Sequence, residues 1–278
     1  MNSMLLAVEA SELHAELQAV LVPPVVYSGK FVQAYGRTVP KDQVGGDLVD
    51  LVSHGQEVIA YVMDVSGRGL RAGVLMGMAK AVFRYGLLLG QPLERLVCDI
   101  NSVLVSIKER NMYLTLAALR FTGAGEVEYI AAGHLPLLQY QRRTGCVIRH
   151  SINQFPVGMF AGVHYVSQRV MCEPGDVFAL VTDGVVETGE DPDAHCGLEH
   201  LAGLLRDFPG VPLPDIMVRM LAAATESGEQ QDDATVLLLR CCENEAGDVP
   251  AAELDPARTR EATWLKLLDE LAEELSGE

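Results

Sequence analysis

Positive charge is scarce in this chain. Lysine and arginine number 21 against 38 aspartates and glutamates, for a net charge of -17 at pH 7. A surface of that sign does not neutralise phosphates or an anionic bilayer, so neither nucleic acid nor an acidic membrane surface is an expected partner. The charge says nothing about the fold. No apolar run approaches the ~20 residues that a membrane span needs, and no basic segment followed by an apolar stretch marks a secretory leader. The six cysteines form no C-x-x-C, and His195-Cys196 with Cys241-Cys242 matches no zinc-ligand spacing. Free thiols in a reducing cytoplasm are therefore the expectation. Tryptophan occurs once, at Trp264.

Apolar material is plentiful: 49% of 278 residues, ample for a buried core. Leu13, Leu17, Val20 and Leu21 fall on one face of a helix over 3–21 that Pro23-Pro24 ends. Phe31 to Tyr35 alternates like a strand, followed by turns as far as Gly46. Leu48 to Val52 and Val58 to Met63 form a hairpin around His54-Gly55. Helices are expected over Gly69 to Leu89 and Pro92 to Glu109, then strands over Met112 to Phe121, Glu126 to Ala131, Leu137 to Arg142, Cys146 to His150, Val163 to Met171 and Val177 to Thr182. Helices over Gly197 to Arg206 and Pro214 to Ser227 precede a closing strand, Thr235 to Cys241. Strands joined by hairpins, with helices in clumps, indicate an α+β sandwich of mainly antiparallel sheets with helices outside. From Glu243 to Glu278 eleven acids face three basic residues, so this tail reads as a separate element. Within it Asp255 and Pro256 suit a helix start, and Trp264, Leu268, Leu271 and Leu275 form an apolar stripe. The organisation is thus a helix over 1–22, a sandwich domain over 23–242 and an acidic tail over 243–278.

Four aspartates stand where strands meet turns: Asp47 after Val44-Gly45-Gly46, Asp64 in Met63-Asp64-Val65-Ser66-Gly67, Asp183 in Val181-Thr182-Asp183-Gly184, and Asp232 in Gln231-Asp232-Asp233-Ala234-Thr235. A single aspartate in such a place is ordinarily a turn or helix cap. Carboxylates next to buried strands are costly unless positive charge meets them. Several that converge repel one another, and a hard divalent cation with oxygen ligands relieves this.

Six segments together carry a resemblance. Val44-Gly45-Gly46-Asp47-Leu48-Val49-Asp50, Asp64-Val65-Ser66-Gly67-Arg68-Gly69, Ala131-Ala132-Gly133-His134-Leu135-Pro136, Phe155-Pro156-Val157-Gly158-Met159, Val181-Thr182-Asp183-Gly184-Val185 and Asp232-Asp233-Ala234-Thr235 occur in the order seen in bacterial PPM-type metal-dependent protein serine/threonine phosphatases. The region from Pro23 to Cys241 resembles the SpoIIE/RsbU-like branch most. The resemblance implies a four-layer α-β-β-α sandwich with two divalent cations, Mn²⁺ or Mg²⁺, at one end of the sheets. Asp64 would bridge both ions, Asp183 and Asp232 would complete one site, and these three would carry catalysis. Asp47 and the Val65 carbonyl would serve the other ion, partly through water. Asp233 would stand behind them or assist a further, weaker ion. A hydroxide generated between the ions would attack phosphorus in line, without a phosphoenzyme.

Two positions depart from the branch. Arg68 replaces a usual histidine and either grips the substrate phosphate bidentately or faces solvent. Leu48-Val49 replaces a usual aromatic pair. His134 reads as a structural strand-end residue rather than an acid. The expected substrate is phosphoserine or phosphothreonine on a regulatory protein, such as a STAS-type anti-anti-sigma factor. The helix before Pro23 would serve as a dimer or regulator surface. A partner-binding pseudophosphatase and a small-molecule phosphomonoesterase are the alternatives.

Overall fold

The computed structural model describes residues 17–41, 44–107, 112–123, 125–186, 194–207, 210–223 and 230–243. Eleven strands are present among them: β1 (Val25–Ser28), β2 (Val32–Val39), β3 (Leu48–His54), β4 (Glu57–Val65), β5 (Leu114–Phe121), β6 (Glu126–Ala132), β7 (Leu137–Gln141), β8 (Cys146–His150), β9 (Gln168–Met171), β10 (Val177–Val181) and β11 (Ala234–Cys241). They build two antiparallel sheets, ordered β1-β2-β11-β10-β7-β8 and β3-β4-β5-β6-β9. The helices are α1 (Gly69–Leu88), α2 (Leu93–Ile107), α3 (Asp183–Val186), α4 (Ala194–Asp207) and α5 (Leu213–Ala223).

Strand alternation explains the layering. In β11 nearly every residue is buried, because both faces are covered. Leu237 and Leu239 point into a core shared with the second sheet, whereas Val236 and Leu238 point into a core under α4 and α5. The same division separates Phe178 and Leu180 from Val177, Ala179 and Val181 in β10. Phe121 of β5 meets Phe178 edge-on across the sandwich, with ring centroids 6.1 Å apart. On the outer face of the five-stranded sheet, Leu75, Met76, Ala79 and Phe83 of α1 are buried, and the Phe83 ring lies 4.3 Å from that of Tyr61. The result is the expected α-β-β-α order: α1 and α2, five strands, six strands, α4 and α5.

The β3–β4 hairpin forms around Gly55, whose φ of 61° suits glycine. Four expectations need correction. β1 was not anticipated, and β2 runs on to Val39, where turns were expected. The strand expected over Val163 to Met171 shrinks to Gln168–Met171. The loop before it satisfies its backbone through side chains instead of a ladder: Gly158 N–H donates to Asn101 Oδ1 (2.7 Å) and Val166 N–H to Gln154 Oε1 (2.7 Å). Asp183 opens the short helix α3 rather than a plain turn. At the first terminus only residues 17–21 of the expected helix are described, and they are helical. The acidic tail beyond 243 lies outside the described residues. The five described cysteines are free thiols. No helix among the described residues is long and apolar enough to cross a membrane.

Candidate metal centre

Strand register brings the aspartates to one end of the sandwich. Leu48 pairs with Met63, so Asp47, one step before β3, stands across from Asp64 near the end of β4. In the other sheet Val181 pairs with Val236, so Thr182 faces Thr235, while Asp183 and the Asp232-Asp233 turn flank that pair. The Thr182 N–H donates to the Thr235 carbonyl (3.1 Å), which continues the ladder by one rung.

The two sheets are joined here by hydroxyl groups. Asp47 is 2% exposed, and its Oδ2 accepts from Thr182 Oγ1 at 2.7 Å and Thr235 Oγ1 at 2.6 Å. The wiring has a direction. Thr182 Oγ1 spends its proton on Asp47 and therefore accepts from the Thr235 N–H (2.9 Å). Thr235 Oγ1 also gives its proton to Asp47, so the 2.8 Å contact with Thr38 Oγ1 has Thr38 as donor. Both arrangements orient Asp47 through one oxygen and leave Oδ1 for another partner. Burial, and then the charges of Asp64 and Asp233, push the Asp47 carboxyl well above the usual carboxylate range, against the pull of the two hydroxyls.

Asp233 ties the loops together. Its Oδ1 accepts from the Lys41 N–H (2.8 Å) and its Oδ2 from the Gly46 N–H (2.6 Å). Burial raises its pKa first, and the charge of Asp232 adds to this, while the backbone donors oppose the shift. Glycines are needed where backbones approach. A Cβ at Gly45 would stand 2.6 Å from Asp233 Oδ2, and one at Gly46 would stand 2.9 Å from the Val65 carbonyl oxygen. A Cβ at Gly184 would collide with the Asp233 carbonyl. Gln18, buried on the N-terminal helical turn, accepts from the Gly45 N–H through Oε1 at 3.2 Å. The turn after Asp64 is pinned to the chain entering β5, because the Ser66 N–H donates to the Tyr113 carbonyl and the Tyr113 N–H to Ser66 Oγ, both at 2.9 Å. Gly67 and Gly69 have φ of 107° and 69° in that turn.

Arg68 takes an arrangement that neither alternative from the sequence foresees. Its Nη2 donates to Asp232 Oδ2 at 3.0 Å and to the Gln231 carbonyl at 2.7 Å, with both side chains of the pair well exposed. His134 lies deeper. Its Nδ1 pairs with Thr115 Oγ1 at 2.8 Å, beside Asp64 in the register, and its Nε2 faces the Val181 carbonyl without completing a hydrogen bond. Burial drives its pKa down to about 4, so the ring is neutral near pH 7. Gly133 before it, with φ of 67°, packs on Pro156, which fixes the Phe155 to Met159 segment beside it.

Asp47 thus lies within electrostatic reach of Asp64 and Asp233, while Asp183 and Asp232 approach through the Gly184 contact with the Asp232-Asp233 backbone. Among the described residues no three His, Cys, Asp or Glu side chains are arranged as a finished metal cage. The Arg68 contact draws the Asp232 carboxylate toward a guanidinium. The donor chemistry nevertheless fits a hard divalent cation: carboxylate and carbonyl oxygens, and mutual repulsion that a cation would relieve. Sequence reasoning overlooked Thr182, Thr235 and Gln18. The two threonines flank the aspartate motifs directly, which is the signal that was available.

Comparison with known proteins bears on this geometry. The chain is 23% identical over 177 residues to the phosphoserine phosphatase RsbU of Bacillus subtilis, a match covering 63% of this chain and 53% of that protein. The chain therefore spans about half the length of this curated relative. In structure it resembles the SiaA-PP2C domain of Pseudomonas aeruginosa, with a TM-score of 0.72 and 18% identity over 86% of this chain and 98% of that one. It also resembles RsbX in complex with magnesium, with a TM-score of 0.62 and 17% identity over 78% and 99% of the two chains. At such identities these structures speak for the fold. Residues 54–241 match the family model of stage II sporulation protein E, and the chain belongs to that SpoIIE family.

Proposed function

We propose that the chain is a metal-dependent phosphatase that hydrolyses phosphoserine or phosphothreonine on a regulatory protein. The observation that carries this reading is the meeting of Asp47, Asp64 and Asp233 with the Asp183 and Asp232 turns at one end of the sandwich. The curated relative is named a phosphoserine phosphatase, and a structural neighbour was solved with magnesium.

Asp64, Asp183 and Asp232 would hold one divalent cation, with Asp64 shared between two. Asp47 and the Val65 carbonyl would serve the second, and Asp233 would support the loops. Bound Mn²⁺ or Mg²⁺ would supply a water of lowered pKa and neutralise charge on the phosphoryl group. The chain itself does the positioning. Thr182 and Thr235 fix the face that Asp47 presents, and the Asp233 contacts to Lys41 and Gly46 hold the Gly45-Gly46 loop against Val65. Arg68 pairs with Asp232 at the surface and would take a phosphate oxygen on leaving that carboxylate. A STAS-type anti-anti-sigma factor is the phosphoprotein we propose. The helix before Pro23 would regulate the site, supported by the Gln18 contact with Gly45.

The Arg68–Asp232 ion pair also supports one rival, a pseudophosphatase that binds a partner without turnover. Hydrolysis of p-nitrophenyl phosphate decides between them. Wild type should turn over only with Mn²⁺ or Mg²⁺, and Asp64→Ala and Asp183→Asn should lose nearly all activity. Absence of wild-type turnover, or equal rates in the variants, refutes the enzymatic reading. Release of phosphate from a phosphorylated STAS protein then separates protein from small-molecule substrates.

A further inference from the structure

Helix α1 is apolar on both sides. One face, with Ala72, Leu75, Met76, Ala79 and Phe83, is buried on the five-stranded sheet. The opposite face bears Leu70, Val74, Met78, Tyr85 and Leu88, which are between 44% and 77% exposed. With the exposed Ala81 among them, Val74, Met78, Ala81, Tyr85 and Leu88 recur at alternating intervals of four and three, the spacing of a helix-pairing seam. An apolar stripe of this kind on a surface helix marks a contact. The helix has no acidic residue, and Arg71 lies beside the stripe near its N-terminal end, whereas Lys80 and Arg84 turn toward Asp50.

One segment of the same chain has the complementary pattern. Between residues 255 and 278, outside the described part, Trp264, Leu268, Leu271 and Leu275 repeat at the same four-three-four intervals, with Asp269, Glu270, Glu273 and Glu274 around them. As a helix, 256–275 would be about 30 Å long, against about 27 Å for the stripe from Leu70 to Leu88. The connection also reaches. β5 is linked to the exit of α1 where Arg120 Nη2 donates to the Gln91 carbonyl at 2.7 Å. The neighbouring Phe121 and Gly123 line a small cavity with Cys241 and Cys242. The chain therefore leaves β11 at the end of the sandwich where α1 finishes. Residues 243–254, extended, span up to roughly 40 Å, ample to bring a helix onto α1 antiparallel to it. That direction sets the acidic cluster near Arg71 and the N-terminus of α1, where negative charge is favoured.

We infer that residues 255–278 dock as an amphipathic helix on the Leu70–Val74–Met78–Tyr85–Leu88 face of α1 in the same molecule. The docked segment covers the helix that starts next to the Asp64 turn. The inference is independent of the phosphatase reading.

The single tryptophan gives a direct test, because Trp264 is the only indole in the chain. In the full chain its emission should be blue-shifted relative to tryptophan in water and protected from iodide, at every protein concentration tested. Val74→Glu and Met78→Glu place charge on exposed positions of a helix and should leave the far-ultraviolet circular dichroism unchanged. Each should shift Trp264 emission to longer wavelength and open it to iodide. Solvent-like emission in wild type overturns the inference. So does a blue shift that neither variant alters, or one that appears only as concentration rises, since the last means a second copy covers the face.

Discussion

The neutral His134 ring predicts a pH dependence that can be worked out from its surroundings. In the folded chain burial lowers its pKa from 6.5 to about 4. An unfolded chain returns the ring to its ordinary value. Between those two values the unfolded state binds a proton that the folded state refuses, so stability rises with pH across this window and falls as pH drops through it. The contribution is fully present above pH 6.5, is lost on the way down to about 4, and changes little below that. The size of the loss is about 3 kcal/mol, from a difference of some 2.5 pKa units at 1.36 kcal/mol each. That is a large share of the ~5–15 kcal/mol typical of a domain.

The comparison protein is His134→Asn, because an asparagine side chain can still reach Thr115 Oγ1, which His134 contacts through Nδ1. Carboxylates titrating in the same range contribute equally to both proteins and cancel in the difference. Urea unfolding in the presence of a chelator, repeated at intervals from pH 7 to pH 4, gives the two slopes. Wild type should lose about 3 kcal/mol more than the variant over the window. Parallel slopes would show that the ring is solvated, or that its protonated form is matched by a charge, in the folded chain, and would refute the reasoning.

Asp50 accepts from Tyr61 Oη (2.5 Å) and from Arg84 Nε and Nη2 (2.7 and 2.6 Å), with Lys80 Nζ at 3.7 Å. Asp50→Ala would leave the buried Tyr61 hydroxyl without its acceptor, while the half-exposed Arg84 turns to solvent and Lys80 keeps the Leu21 carbonyl, and should cost about 1–3 kcal/mol in urea unfolding, whereas an unchanged midpoint would mean the cluster carries no stability. Thr235→Val removes one donor from Asp47, worth about 1.5–3 kcal/mol for a charged acceptor. Calorimetric titration with Mn²⁺ should show affinity weakened by roughly tenfold or more if that orientation matters, and equal affinity would contradict it. Gly184→Ala presses a methyl against the Asp233 carbonyl and should cost about 1–3 kcal/mol, read as a lower unfolding temperature. Arg68→Ala releases an ion pair whose members are 49% and 39% exposed, worth about 0–1 kcal/mol. Mn²⁺ affinity should therefore rise by at most about fivefold, and a fall would show that Arg68 helps rather than competes.

How far the sequence disclosed this arrangement depends on the range of the contacts involved. Helix α1 was legible to within a residue, because Leu75, Met76, Ala79 and Phe83 record its buried face locally. The β3–β4 hairpin was legible for the same reason, with alternation on both arms and a turn glycine between them. β1 was not, since four residues behind Pro23-Pro24 carry too short a pattern, and their strand character comes from pairing with β2. The loop before β9 reads as strand in its apolar content, but Gln154 and Glu94 capture the Val166 and Ser167 N–H groups that a ladder would have used.

The candidate centre divides along the same line. Its aspartates announce themselves because a carboxylate beside a buried strand is locally conspicuous. The groups that orient them do not, because a threonine in a strand is an ordinary β-former until the opposite sheet is in place. Thr182 and Thr235 reach Asp47 across 135 and 188 positions of chain, and Arg68 reaches Asp232 across 164. Of these three contacts, the two to Asp47 are buried and hold one carboxylate from two strands at once, so they fix its direction. The third is exposed and weak. That difference in burial makes Asp47 the rigid side of the candidate centre and Asp232 the adjustable one.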